Sequence, residues 1–441
     1  MNHRISNLLA TSALVAFGTV FGATAQAQQT APAPAAPAPA AAAPAAEEPP
    51  KPAPAVLSPE WFGDIKFGAQ VQGGVVFNTT SPSNNLNFGQ LFTDRSNQAQ
   101  LNQVLLTVGR TIDPKTTGFD MGFKFQGLFG SDARYTHFLG VLNNATSGRY
   151  QYDIVEANIT ARLPILTEGG IDVKAGMYST PLGSEVIDPS ANPFYSHSYI
   201  FNFGLPLKHT GAYATIHATD VVDIWAGADT GINTTFGPKS GDNNGAAAFL
   251  GGFGLNLMDG KLTILALTHI GPENASRAIG PLANSKYRYV YDITATYKPN
   301  DTWSFITEGN FIRDAYGFGN GAVNAGGVAQ YVGYALTETW TLNGRAEIFR
   351  DDSGFFVAAF PTNLGPVQTL GGFPAPIIQT KGGTTYAAFT AGATWKPKFN
   401  EQVSTFMIRP EVRYDQALTN NKPFSGRPNA LTFAADIVIG F

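Results

Sequence analysis

Apolar and polar residues alternate with a period of two along most of the chain. In the strongest window, Phe123 and Phe125 fall on one side, and Lys124 and Gln126 fall on the other. Successive side chains of a β-strand point to opposite faces, so this pattern predicts strands with one apolar face and one polar face. The same alternation runs through residues 286–297, 404–414 and 431–441.

Sixteen such windows follow residue 60, and the segments between them alternate in length. Short segments such as 258–261 carry turn-forming residues. The long segments cover residues 79–98, 130–149, 179–208, 232–244, 270–285, 314–323, 351–383 and 416–429. Short turns at one end and long loops at the other are typical of outer-membrane barrels. We therefore predict an all-β fold, a transmembrane antiparallel β-barrel of about 16 strands, with short periplasmic turns and long extracellular loops.

Closure of this barrel requires the first and last strands to pair, because a sheet in lipid cannot keep an open edge. We expect the strand near residues 62–77 to lie beside the strand that ends at Phe441. A terminal aromatic strand is also the feature by which such barrels are recognised for insertion. The alternative is a soluble β-sandwich or large soluble barrel, in which the apolar faces would form the core.

Composition favours the membrane barrel over other classes. Only 14% of the 441 residues are charged, against about 25% in typical soluble domains. The absence of cysteine excludes disulfide scaffolds and thiolate metal sites, and a net charge of −4 argues against nucleic-acid binding. Beyond the first 25 residues no apolar run is long enough for a membrane helix. Four tryptophans near short turns predict an aromatic girdle: Trp225, Trp303, Trp340 and Trp395.

The N-terminal region divides into two segments ahead of the barrel. Residues 1–27 combine Arg4, an apolar stretch and a small-x-small end at 25–27, which predicts a cleaved signal peptide rather than a membrane anchor. Residues 28–59 alternate Ala and Pro and predict an extended periplasmic linker, which is either a plain tether or a contact to the cell wall. Residues 60–441 form the predicted barrel in the outer membrane of a Gram-negative cell.

Charged residues on the polar strand faces are expected to line the lumen. They include both signs, which favours a hydrated interior without strong ion selectivity. The alternative is a cross-strand lattice of salt bridges that plugs the interior. The predicted pore-lining residues are Asp120, Lys124, Glu156, Arg162, Lys174, Lys286, Arg288, Arg345, Glu347, Arg409, Glu411 and Arg413.

The segment 179–208 does not have the composition of a free surface loop. It is rich in proline and aromatic residues, which restrict the backbone and favour burial. We expect it to fold inward as a constriction loop, with its polar groups facing the pore. The alternative is that it packs over the rim or at a subunit interface. The residues expected at the constriction are Glu185, Asp188, Tyr195, His197 and Tyr199.

Motifs for catalysis, nucleotide binding and metal binding are absent from the sequence. The histidines show no metal-ligand spacing, although His197 and His209 lie close enough in sequence to converge in one loop. We therefore expect no enzyme activity, no cofactor and no metal site.

Residues 175–199 resemble the signature loop of the β-barrel porin-2 (OmpL-like) family. Segments 201–204 and 208–211 continue the resemblance, which covers most of the chain after residue 60. It implies an outer-membrane barrel with a porin-like role and carries no catalytic residues.

Together these features predict a porin with a water-filled channel for passive diffusion of small hydrophilic solutes or ions. Its expected partners are outer-membrane lipid and those solutes, with no nucleic acid. Contact to the cell wall through the linker and homo-oligomerisation stay open. The alternative function is a structural or adhesion barrel that acts through the linker or the extracellular loops.

Overall fold

The computed structural model describes residues 54–113, 116, 118–143, 145–237, 241–318, 321–399 and 402–441. The predicted signal peptide and the linker up to residue 53 lie outside this part of the chain. The strands are β1 Lys66–Asn78, β2 Gln98–Arg110, β3 Asp120–Gly130, β4 Gln151–Leu163, β5 Ile171–Ser179, β6 Lys208–His217, β7 Val222–Asp229, β8 Ala248–Leu257, β9 Leu262–Pro272, β10 Tyr287–Tyr297, β11 Trp303–Asp314, β12 Val323–Ala335, β13 Trp340–Asp351, β14 Ala358–Ala359, β15 Ile378–Gln379, β16 Thr384–Trp395, β17 Thr405–Ala417 and β18 Asn429–Gly440.

Sixteen of these strands form a closed antiparallel barrel, and β14 and β15 form a separate small hairpin in the loop after β13. Neighbours in sequence are neighbours in the barrel, and β1 pairs antiparallel with β18. Val75 lies opposite Ala435 across this seam. The predicted strand number and the predicted closure are both confirmed.

Helices are short and lie before β1 or between the strands. They are α1 Pro59–Gly63, α2 Ala133–Thr136, a 3-10 helix Pro189–Ala191, a π-helical turn Ile200–Gly204, α3 Ser276–Ile279, a 3-10 helix Gly280–Ser285 and α4 Gly365–Leu370. Within the described ranges, none of the helices has the length and apolar character needed to traverse a bilayer.

Connection lengths differ between the two ends of the barrel. Short turns such as 218–221 and 336–339 lie at one end, and long loops such as 180–207 and 352–383 lie at the other. This is the predicted asymmetry between turns and loops.

The two faces of each strand follow the predicted alternation. Phe125 and Phe433 on the outer face are 44% and 48% exposed, whereas Arg409 and Asp436 on the inner face are buried. Because a one-residue slip would exchange the faces, this burial pattern confirms the predicted register of β3, β17 and β18.

Two β-bulges change that alternation locally. One lies where β2 pairs with β1 at Gln72–Gly73, and the other where β4 pairs with β3 at Gln126–Gly127. As a result, Asn102 and Gln103 are both buried although they are adjacent. An extra residue in one strand shifts its inward positions by one, so the polar set of the lumen changes at these points.

The tryptophan prediction holds for three residues and is wrong for the fourth. Trp303 and Trp340 are 39% exposed at their strand ends, and Trp395 stacks on Trp340 with ring centroids 6.0 Å apart. Trp225 instead faces the lumen and stacks on Tyr213 at 5.2 Å. The outward positions of β7 are Ile224, Ala226 and Ala228, so the register of β7 turns Trp225 inward.

Candidate functional site

The connection between β5 and β6, residues 180–207, lies inside the barrel, and we call it the inner loop. Phe194, Tyr195 and Tyr199 are each 2% exposed or less. Aromatic side chains of this size lose a large apolar area to water when they are left on a surface loop. Their burial against the barrel wall therefore keeps the loop in the lumen.

Local hydrogen bonds give the inner loop its shape. The Asp188 carboxylate accepts a bond from the Ser190 amide at 2.9 Å and caps the 3-10 helix Pro189–Ala191. The Asn192 side chain bonds both the amide and the carbonyl of Val186, at 2.9 Å and 2.7 Å. Asp188 also accepts from Gln70 Nε2 of β1 at 2.9 Å, which ties the loop to the wall.

Tyr195 and Tyr199 anchor the loop to the wall through their hydroxyl groups. Tyr195 donates to Asn102 Oδ1 at 2.7 Å, and its ring lies over Gly74, where an added Cβ would be 2.6 Å from the ring. Tyr199 donates to Asp415 Oδ1 at 3.0 Å and stacks on Tyr386 with centroids 5.0 Å apart. Buried tyrosines with a satisfied hydroxyl contribute both apolar burial and specificity.

Arg345 of β13 joins the inner loop to two carboxylates. Its guanidinium bonds Glu185 Oε1 at 2.7 Å and the Ser196 carbonyl at 2.9 Å, and lies 3.4 Å from Glu347 Oε1. Glu347 in turn accepts from the Tyr199 amide at 2.7 Å. Buried charges are tolerated only when they are paired and hydrogen-bonded. Arg345, Glu185 and Glu347 meet both conditions.

Strand β17 repeats this arrangement with two arginines and a glutamate. Arg409 pairs with Asp436 and donates to the Pro189 carbonyl at 2.8 Å. Arg413 donates to the His197 carbonyl at 2.9 Å, and Glu411 accepts from the Tyr195 amide at 2.9 Å. The wall charges therefore bind the backbone of the inner loop.

Burial shifts the protonation of two groups in the inner loop, outside the spanning strands. Burial lowers the pKa of the His197 imidazole to about 4, against the partial compensation from Glu185. Burial alone would raise the pKa of Glu185, but Arg345 and the Ser198 amide outweigh it and hold that pKa below its ordinary value. At neutral pH His197 is therefore uncharged and Glu185 is charged, and both forms favour the packing of the inner loop against the barrel wall.

The remaining predicted lumen residues lie away from the inner loop. At the short-turn end, Asp120 pairs with Arg110 at 2.7 Å, Arg162 with Asp172 at 2.9 Å and Lys124 with Glu156 at 3.7 Å. There Lys174 lies over the Tyr213 ring at 5.9 Å. At the long-loop end, Arg288 pairs with Asp314 at 2.6 Å. Lys286 is half-buried and precedes β10, so it belongs to the loop and not to the strand wall.

Cavities lie at both ends of the barrel and between its loops. The outer cavity, about 1220 Å³, is lined by Leu142, Asp242 and Arg277 among others. An inner cavity of about 340 Å³ reaches Arg134, His137 and Glu273. At the short-turn end a cavity of about 630 Å³ is lined by Lys66, Lys124 and Lys174.

Glu185 and His197 of the inner loop do not face an open pore, which corrects the sequence expectation for these two residues, whereas Asp188 is half-buried. Glu185 and His197 are 2% and 6% exposed and bond or pack against the wall. Around the inner loop the interior is filled by paired charges, as the alternative of a salt-bridge lattice anticipated. The reason is that wall arginines offer more hydrogen-bond donors than strand neighbours can use, and the inner-loop carbonyls take the surplus.

Several buried polar groups have no signal in the sequence. Lys208 at the start of β6 bonds the Asp153 carboxylate and the Ile154 carbonyl. In loop 131–150, Arg134 makes a two-bond contact with Asp94 at 2.8 Å and 3.0 Å. Ser184 donates to Glu308 at 2.6 Å. These partners are far apart in sequence, so only an alignment of many relatives could have signalled them.

The two histidines that the sequence places in one loop do not meet. His197 stacks on Phe201 with centroids 4.2 Å apart. His209 instead lies beside His269 and Asp229, and the candidate ligand atoms of these three residues are within 4.8 Å of one another.

Comparison with known proteins identifies the architecture. The family model described as "Putative beta-barrel porin-2, OmpL-like" matches residues 64–441. A comparison with curated proteins finds no match.

Solved structures of outer-membrane channels share the fold. The outer membrane channel DcaP of Acinetobacter baumannii is 12% identical, with a TM-score of 0.52, and the match covers 86% of this chain and 97% of that chain. The anion-selective porin from Comamonas acidovorans is 8% identical, with a TM-score of 0.50 and coverages of 86% and 99%. Salmonella typhi OmpF, in a complex with daunomycin, is 11% identical, with a TM-score of 0.50 and coverages of 86% and 97%.

Proposed function

The chain belongs to this OmpL-like family of β-barrel porins, and from that premise we propose that it is an outer-membrane porin. It forms a narrow, water-filled path for passive diffusion of small hydrophilic solutes or ions and has no enzymatic activity. The observation that carries the proposal is the inner loop, which crosses the lumen of a sixteen-strand barrel. A barrel of this size is too wide for wall side chains alone to fill, so a loop sets its free cross-section.

The path narrows where the inner loop binds the wall. The cavities at both ends are lined by polar and charged side chains, whereas the region between them holds Tyr199, Arg345 and Arg413 in a packed network. Lumen charges of both signs favour modest ion selectivity. Three lysines at the short-turn end, Lys66, Lys124 and Lys174, favour small anions over cations there.

Single-channel conductance of the purified full-length barrel in a planar bilayer tests the proposal. We expect small, steady channels in the native protein. Deletion of residues 188–200 removes the narrowest part of the lumen and should raise conductance by at least about twofold. A matched control deletes Ser425 and Gly426, which are exposed at the tip of the turn between β17 and β18, and it should leave conductance unchanged.

The same experiment addresses the alternative, a structural or adhesion barrel. The dense network of paired charges around the inner loop favours that role, because it leaves little free space at the level of Arg345 and Arg413. A correctly folded barrel that conducts no ions, with or without residues 188–200, would refute the porin function and support the structural one.

A further inference from the structure

Three side chains from three strands meet at the long-loop end of the barrel wall, and we call them the histidine cluster. They are His209 of β6, Asp229 of β7 and His269 of β9, and all three are buried. Asp229 Oδ2 lies 3.1 Å from His209 Nδ1 and 3.2 Å from His269 Nε2. One carboxylate therefore faces one nitrogen from each of two imidazoles.

The backbone is shaped for this approach. Gly211 is paired with Asp229 across β6 and β7, and a Cβ at Gly211 would lie 2.7 Å from Asp229 Cβ. Strand β8 lies between β7 and β9 and places the small Ala248 opposite Asp229. Small residues at these positions let the side chains of β6, β7 and β9 converge.

Each histidine has a polar group near its other nitrogen. His209 Nε2 contacts Thr180 Oγ1 of the inner loop at 3.0 Å. His269 Nδ1 lies 3.6 Å from Glu273 Oε1. A metal-bound histidine typically has its second nitrogen oriented by a carboxylate or another acceptor in this way.

Several atoms of the cluster and of the neighbouring Glu273 lack a hydrogen-bond partner in the described structure. They are His209 Nδ1, His269 Nδ1 and Glu273 Oε1. His209 Nδ1 thus lies close to the Asp229 carboxylate without the alignment of a hydrogen bond. The imidazole nitrogen and the carboxylate oxygen are thus close together without a hydrogen bond between them. Two ligands of one metal ion would have the same arrangement.

The charges around the cluster also favour a cation. Asp229 and Glu273 are both buried, and among the described residues no lysine or arginine lies within ion-pair distance of either carboxylate. The nearby Arg288 is already paired with Asp314 at 2.6 Å. A divalent ion between the imidazoles would neutralise these two buried carboxylates.

We propose that His209, Asp229 and His269 bind a divalent transition-metal ion of the Zn²⁺ class, with Glu273 orienting His269. Two imidazole nitrogens and one carboxylate oxygen form a ligand set that Zn²⁺ accepts, and they leave a position for water or a solute. Ligands of tetrahedral Zn²⁺ lie about 3.3 Å apart, close to the spacing of Asp229 from both imidazoles. Glu273 also lines the inner cavity, which supplies a route for the ion.

Zn²⁺ binding to the untagged, chelator-stripped barrel, followed by calorimetry in detergent, tests the site. We expect one Zn²⁺ per chain. His209→Gln and His269→Gln should each weaken Zn²⁺ affinity by more than about 100-fold, and Glu273→Gln by about 10–100-fold, as loss of an outer-shell partner does.

His217→Gln is the matched control, because His217 also contacts two carboxylates, Asp172 at 3.1 Å and Asp223 at 2.7 Å, but has no second imidazole beside it. Among the described residues His217 belongs to no metal-ligand group, so the His217→Gln variant should bind Zn²⁺ like the native barrel. The proposal is overturned if the native barrel binds no Zn²⁺, or if the two histidine variants bind it normally. If those variants do not fold, Glu273→Gln decides, and unchanged affinity in it overturns the site. The readout is metal binding, so it is independent of channel function.

Discussion

At the scale of single residues, position on the barrel decides what a side chain contributes. Phe125 lies on the outer face and is 44% exposed, whereas its neighbour Lys124 points into the lumen toward Glu156. Trp225 follows the same rule, because its position along β7 directs it into the lumen and not toward the membrane. The period of the strand, more than residue type, assigns the environment.

Phe125→Lys tests the outer face. A lysine near the bilayer midplane is expected to cost about 2–4 kcal/mol, so the variant should fold less efficiently into lipid vesicles. The measurement is the free energy of folding from urea titrations in vesicles. Lys124→Gln is the control, and its change should stay below about 1 kcal/mol because the side chain faces water. Equal behaviour of the two variants would contradict the register of β3.

Arg345→Met tests the pairing of charges inside the barrel. The change leaves Glu185 buried without its cation and leaves Glu347 with Arg413 alone, and breaking a buried pair typically costs about 3–5 kcal/mol. We expect lower stability to denaturant and faster proteolysis within residues 180–207. Arg350→Met on the same strand is the control, because Arg350 is exposed and donates to Thr385 Oγ1 at 3.2 Å, and its effect should stay within about 0.5 kcal/mol. Native-like stability of Arg345→Met would show that the charge network does not hold the inner loop.

At the scale of elements, the inner loop and the wall strands depend on each other. Strands β13 and β17 supply Arg345 and Arg413. The inner loop supplies the carbonyls that accept from them and the aromatic rings that lie against them, Phe194 and Tyr199. The bulge in β2 turns Asn102 inward, where it accepts the Tyr195 hydroxyl. The bulge in β2 thereby helps to fix the position of the inner loop, which comes from another part of the chain.

Low pH should weaken the packing of the inner loop against the barrel wall. The folded pKa of His197 is lowered by burial to about 4, below its ordinary value, so its stabilising contribution is complete above that ordinary value and is lost as pH falls toward 4. Glu185 acts in the same direction, because its folded pKa is also lowered and its contribution disappears as pH falls. We expect conductance and proteolysis of residues 180–207 to increase reversibly between pH 7 and pH 4.

His197→Gln isolates the histidine part of this response, since glutamine does not titrate. The variant should lose the change between pH 6.5 and pH 4.5 and keep the part that Glu185 contributes at lower pH. Conductance that is constant from pH 7 to pH 4 in the native barrel would contradict the prediction.

At the scale of the whole molecule, closure removes the free sheet edges. The hydrogen-bonded ladder runs through all sixteen barrel strands and returns to β1, and the Phe441 amide donates to the Ala69 carbonyl at 2.8 Å. Since lipid offers no hydrogen bonds, the seam between β1 and β18 is a condition for insertion. The same closed barrel is found in the DcaP channel at 12% identity.

A disulfide across the seam tests this closure. The chain has no cysteine, so a Val75→Cys, Ala435→Cys pair introduces the only thiols. Paired residues of antiparallel strands lie about 4.5–5.5 Å apart, within the range a disulfide spans. We expect efficient oxidation and a faster-migrating band on a non-reducing gel.

The control pair is Val75→Cys with Ile439→Cys, which lies four residues away along β18. At a strand rise of about 3.4 Å per residue this separation is about 14 Å, too far for a disulfide. Cross-linking of the control pair, or failure of the first pair in a folded barrel, would contradict the register.

The sequence by itself determined the strands, their faces, the closure and the inward path of the loop after β5. These features follow from a period of two, from the spacing of turns and from an aromatic-rich loop, all of which are local properties of the chain. Only the tertiary structure decided which charges meet. Glu185 pairs with Arg345, and Asp229 contacts His269, because barrel closure and loop packing bring distant segments together. Alternation shows which way a side chain points, but its partner across the lumen depends on the register, bulges and curvature of every strand between them.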